Sequence, residues 1–167
     1  MQPDQMLTSL VGFPTVVGTS NSALIDFIRR YLAKYDVTAQ IIAGPESDRF
    51  NLFATIGPVD VPGYILSGHM DVVPAGEPEW RADPFTLRRE NGCLIGRGAV
   101  DMKGYVAAVL SAVPQLVRMK LKQPLHIALS YDEEAGCRGV PYLIEKLPSL
   151  CAPPLGCFVG EPSGMIP

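Results

Sequence analysis

One histidine and a series of carboxylates, each at the end of an apolar run, are the residues of this chain best suited to chemistry. His69 and Asp71 close the run Ile65-Leu66-Ser67-Gly68-His69-Met70-Asp71, and Asp101 sits in Gly96-Arg97-Gly98-Ala99-Val100-Asp101-Met102-Lys103-Gly104. Asp132, Glu133 and Glu134 follow Leu125 to Tyr131, and Glu161 follows Cys157-Phe158-Val159-Gly160. Carboxylates set against a core are costly unless something positive pairs with them. No cluster of Arg or Lys accompanies them in the sequence. A pair of divalent cations accounts for the pattern, because hard oxygen ligands with one imidazole suit Zn, Co or Mn.

Each position also has a plainer reading. In an extended segment, residues two apart project to one side. Asp71 can then accept from one ring nitrogen of His69 and leave the other for a metal; alternatively the pair is a surface His beside a solvated Asp. Asp101 is either the N-cap of the following helix or a bridge between two metals about 3.5–4 Å apart. Gly96 and Gly98 before it suggest close backbone approach to a site. Adjacent carboxylates at 132–134 repel unless cations or protons intervene. Glu133 and Glu134 point in different directions on an extended backbone, so one can bind metal while the other acts as general base. The alternative is a solvated acidic turn opening a helix. Glu161 is a turn residue or a further ligand.

Other chemistries fit less well. Ser163 lacks the G-x-S-x-G spacing, the glycines at 96 and 98 do not complete a dinucleotide fingerprint, and neither H-E-x-x-H nor a Walker A sequence occurs. His126 falls inside an apolar strand and reads as a satisfied core histidine. Four cysteines without a C-x-x-C pair read as reduced thiols in a cytosolic protein. A net charge of −3 gives no reason to expect nucleic acid. The apolar stretch from Tyr105 to Val117 is too short for a bilayer, and the N-terminal residues lack the pattern of a signal peptide.

The elements that must position these groups alternate along the chain. Ala23 to Lys34 has helical periodicity, with Ser20 or Asn21 able to cap it. Val37–Ala43, Asn51–Gly57 and Tyr64–Gly68 read as strands, and Gly76–Pro84 as a loop. Gly92–Gly98 reads as a short strand and turn. Met102 to about Lys120 reads as a helix that Pro114 kinks or ends early. Leu125–Tyr131 is a strand, Val140–Leu147 a short helix and Gly156–Gly160 a last strand. Alternation predicts an α/β fold, a layered sheet flanked by helices. His69, Asp132–Glu134 and Glu161 all follow predicted strands, and the carboxyl ends of strands are where such sheets bind ligands.

Ser67 to Pro74, Trp80 to Phe85, Gly96 to Gly104, Asp132-Glu133-Glu134 and Gly160-Glu161-Pro162 resemble, in order and spacing, the M20 metallopeptidase family. The resemblance implies the N-terminal portion of a zinc-peptidase-like catalytic domain using two divalent metal ions, zinc first, with cobalt or manganese as alternatives. His69 would bind one metal with Glu161, Asp101 would bridge, and Glu134 would bind the other. Glu133 would be the general base, Asp71 would orient His69, and the Asp101–Met102 bond would be cis. The run Leu129 to Val140 points to the branch that removes the acetyl group from N-acetylornithine in arginine biosynthesis. Desuccinylation of succinyl-diaminopimelate, or another amide hydrolysis of an N-acyl amino acid or peptide, is the alternative. Family members are longer: an inserted dimerisation domain, and a returning segment carrying a further histidine ligand, have no counterpart in residues 1–167. The resemblance therefore implies a partial catalytic domain whose parent is a cytoplasmic homodimer with no membrane or nucleic-acid partner, or else a non-catalytic metal-binding fragment.

Overall fold

The computed structural model describes residues 1–164. In chain order the elements are α1 (Pro3–Val11), α2 (Ser22–Ala33), β1 (Ala39–Ala43), β2 (Phe50–Ile56), β3 (Tyr64–His69), β4 (Arg88–Glu90), β5 (Cys93–Ile95), α3 (Lys103–Leu116), β6 (Leu125–Ser130), α4 (Val140–Leu150) and β7 (Gly156–Val159). Five strands form one sheet in the order β1-β2-β6-β3-β7, and β4 pairs with β5 in a separate ribbon. β6, β3 and β7 run parallel, while β1 and β2 are antiparallel to their neighbours.

Side chains alternate across the sheet, and two apolar layers follow. On one face Leu52, Ala54, Ile127 and Leu129 pack with Met6, Leu10, Ile28, Leu32, Val106 and Leu110 from α1, α2 and α3. On the other, Phe53, Ile65 and Ala128 pack with Leu143 of α4. The inner strands β2, β6 and β3 are therefore apolar on both sides, as a covered sheet interior requires.

The expected α/β architecture is the one observed, with three differences in detail. The helix α1 and the three-residue strand β4 are additional to the predicted elements; in α1 the buried Met6, Leu7, Leu10 and Val11 recur at helical spacing behind Pro3, a signal the sequence does carry. Asn21 makes no side-chain cap on α2. Its amide instead donates to Phe50 O at 2.8 Å and accepts from Phe50 N at 3.0 Å, fastening the helix start to β2. The helix α3 stops at Leu116, two residues past Pro114, whereas α4 runs on through Pro148 to Leu150. Among the described residues no helix is long and apolar enough to cross a membrane.

Candidate metal centre

Because β6, β3 and β7 are parallel neighbours, their carboxyl ends open on one edge of the sheet. The central strand β3 ends at His69, β6 leads into Asp132–Glu134 on one side, and β7 leads into Glu161 on the other. Asp101 enters from the turn before α3. That turn is tight: Gly98 has φ +78°, and a Cβ there would meet Val72 Cγ1 at 2.5 Å. The Asp101–Met102 peptide bond is cis.

The predicted groups converge. His69 Nε2 lies 2.9 Å from Asp101 Oδ1, 3.8 Å from Glu161 Oε1 and 3.9 Å from Glu133 Oε2. Two sets of ligand atoms, His69–Glu133–Glu161 and His69–Asp101–Glu134, are each close enough to hold a metal ion. Glu133, read from the sequence as a base, thus also stands within reach of a cation. The imidazole is 1% exposed, whereas the Asp101 and Glu161 side chains are 49% and 42% exposed. A buried histidine therefore floors an open acidic mouth. A cleft of about 340 Å³ adjoins it, lined by Val73, the 96–101 turn and Glu134.

Hydrogen bonding decides which ring nitrogen is available. His69 Nδ1 lies 2.9 Å from the backbone carbonyl of Asp71, and that oxygen can only accept, so Nδ1 carries a hydrogen. The Asp71 carboxylate is farther, at 3.5 Å. Nε2 then presents a lone pair toward carboxylate oxygens that are themselves acceptors. A cation or a proton must sit between them, and the donor set of one imidazole and several carboxylates fits a divalent metal. Without metal the proton takes that place. Burial disfavours the charged ring, but Asp71, Asp101 and Glu161 outweigh it and raise His69 to about 9. Glu134 and Glu161 are raised by burial and by neighbouring carboxylates.

The Asp71 carboxylate has a second task. Its two oxygens accept from the backbone N–H groups of Glu133 (3.0 Å) and Glu134 (3.1 Å), clamping that dipeptide to the end of β3. Asp132 does not join the acidic mouth. It is buried in the left-handed region at φ +49°, and accepts from Gly18 N at 2.8 Å and Arg49 Nη1 at 2.6 Å. The absence of basic partners expected from the sequence is corrected here: Arg49 pairs with Asp132 from 83 residues away, a separation that leaves no local signal. Lys103 is a second unanticipated cation. It is buried, and its Nζ donates to Leu10 O (3.1 Å) and Phe13 O (2.7 Å), at a helix end whose carbonyls lack intrahelical partners. Burial lowers Lys103 to about 8, against the pull of Asp71. His126 is half satisfied: Nδ1 meets Thr55 Oγ1 at 2.9 Å, and the buried Nε2 has no partner among the described residues.

Known proteins share this chain's family profile and its fold. The profile of peptidase family M20/M25/M40 matches residues 65–166. The chain is 33% identical to acetylornithine deacetylase of Proteus mirabilis (strain HI4320), over 98% of this chain and 43% of that protein. It is 35% identical to acetylornithine deacetylase of Pasteurella multocida (strain Pm70), over 98% and 44% respectively. The chain thus spans less than half the length of these curated relatives. In fold it is similar to an M20 family metallo-carboxypeptidase from Sulfolobus solfataricus (TM-score 0.81, 21% identity, 96% of this chain and 37% of that one). It is also similar to human carnosine dipeptidase 1 (TM-score 0.78, 23% identity, 94% and 38%). With the profile spanning the strand ends that carry His69, Asp101, the paired glutamates and Glu161, the chain belongs to peptidase family M20/M25/M40.

Proposed function

We propose that this chain is the N-terminal part of the catalytic domain of a cytoplasmic, homodimeric, two-metal amide hydrolase. Its substrate is an N-acyl amino acid, N-acetylornithine in first place, and zinc is the preferred metal, with cobalt or manganese as alternatives. The observation that carries the reading is the gathering of four carboxylates around the free nitrogen of one buried imidazole. In this reading His69 and Glu161 hold one ion, Glu134 holds the other, and Asp101 is shared. When bound, the ions would polarise the scissile carbonyl and acidify the attacking water. Glu133 takes the proton of that water and delivers it to the departing amine. Asp71 holds His69 and the Glu133–Glu134 backbone in register. The acetyl-over-succinyl preference is supported by the identity to two acetylornithine deacetylases.

A second reading, a metal-binding segment without turnover of its own, is favoured by the centre having a single imidazole among the described residues. His126, the one other histidine in the sequence, is committed to the sheet interior beside Phe53 and cannot serve the centre. Both readings are tested by metal content and N-acetylornithine hydrolysis, measured on this chain and on one extended to the relatives' length. Turnover in the extended chain alone supports the second reading for residues 1–167. In whichever chain is active, Glu133→Gln is expected to keep fold and metal while turnover falls about 10²–10⁴-fold. Undiminished turnover would remove Glu133 as the base.

A further inference from the structure

Tyr105, in the first turn of α3, touches the chain on either side of β7's last residue. Its hydroxyl donates to Phe158 O at 3.2 Å. Its ring lies against Gly160 so closely that a Cβ on residue 160 would stand 2.0, 2.2 and 2.4 Å from Cγ, Cδ2 and Cδ1. Those atoms are the root of the ring, which sidesteps only by turning about χ1, at the cost of its hydroxyl's bond to Phe158 O, or by a shift of α3. The helix is anchored by buried Val106, Leu110 and Val113, whereas among the described residues β7 is an edge strand with one neighbour. Any crowding at this contact is therefore relieved on the β7 side. Glu161 is the next residue, and Gly160 N donates to Ser67 O of β3 at 3.2 Å, the last tie before it.

We propose that Tyr105 is a positioning residue for Glu161, and that its contact with Gly160 governs the cation position that His69 and Glu161 would hold separately from the one that Glu134 would hold, Asp101 being common to both. This rests on the two-metal reading above. Glu133 and Glu134 are held by Asp71 and Asp132, and neither of those clamps involves α3 or β7. A fault at Gly160 thus reaches Glu161 and leaves the Asp101–Glu134 pair in place.

The test is titration of the 167-residue chain with Co²⁺, followed by calorimetry and visible absorption, with circular dichroism to check the fold. The wild-type chain is expected to take two ions at saturation. Gly160→Ala should weaken one of them by about 10–100-fold, the range for residues that orient metal ligands, and leave the other unchanged. Tyr105→Leu, which removes the ring contact without adding bulk, should weaken the same ion and carries the test if Gly160→Ala does not fold. The double variant Tyr105→Ala/Gly160→Ala, which makes room for the new methyl, should bind that ion more tightly than Gly160→Ala alone. If both single variants match wild type, if both ions weaken together, or if the double variant shows no recovery, the positioning role is overturned. A wild-type chain that takes fewer than two ions overturns the two-metal reading for residues 1–167.

Discussion

The carboxylates of the 132–134 run do three different jobs, and only two of them concern a metal. Asp132 is buried, left-handed and paired with Arg49, so it shapes the turn that presents Glu133 and Glu134 to the mouth. Truncating Arg49 to Met would strand a buried charge, and breaking such a pair costs about 3–5 kcal/mol. Chemical denaturation should register a loss of that size, and a loss near zero would show that Asp132 is neutralised by another route. Asp71 makes a complementary case. Asp71→Asn replaces one acceptor oxygen by an amino group facing a backbone N–H, so one arm of the clamp on Glu133–Glu134 is lost. Metal affinity is expected to drop about 10–100-fold with the sheet intact, by calorimetry; unchanged affinity would leave Asp71 a bystander. The residues that converge were legible in the sequence because each ends an apolar run. Arg49 and Lys103 were not, because their partners lie 83 and about 90 residues away and nothing local marks them.

At the scale of elements, the sheet was legible from its apolar runs, the site from the strand ends and α1 from the helical spacing of Met6, Leu7, Leu10 and Val11, whereas the three-residue β4 is too short to show a pattern. His126 shows another limit. The sequence placed it inside β6, and only the sheet reveals that Thr55 satisfies one nitrogen and leaves the other bare. Burial lowers its pKa below the ordinary 6.5. Above pH 6.5 the ring is neutral in folded and unfolded chains alike and does not affect their balance. As pH falls below 6.5 the unfolded chain binds the proton first, so stability declines until the folded ring also titrates. His69, raised to about 9, has the opposite sign in the metal-free protein: its stabilisation is full below 6.5 and is lost as pH rises through 9. Comparing wild type with His126→Gln isolates the first effect. The variant should lose less stability than wild type on moving below pH 6.5 in thermal melts, and parallel curves would mean that Nε2 finds a partner in solution.

At the scale of the whole molecule, β7 is the element whose surroundings do not match its kind. A parallel strand is normally covered on both faces and paired on both edges. Here Phe158 and Val159, which as successive residues point to opposite faces, are 59% and 60% exposed, with Leu155 exposed beside them. Among the described residues β7 pairs with β3 alone, so its outer hydrogen-bonding groups also face solvent. An uncharged strand edge flanked by such a patch is a template for pairing with another chain. The 167-residue chain is therefore expected to self-associate as its concentration rises, measured by light scattering. Phe158→Lys, which places a charge on that strand while leaving the metal-site residues unchanged, should shift the chain toward monomer without lowering Co²⁺ binding. A wild-type chain that stays monomeric across the concentration range would mean that the edge is protected by its own short length. Association that persists in Phe158→Lys would move the contact to another surface, with the exposed side of α4 the next to substitute.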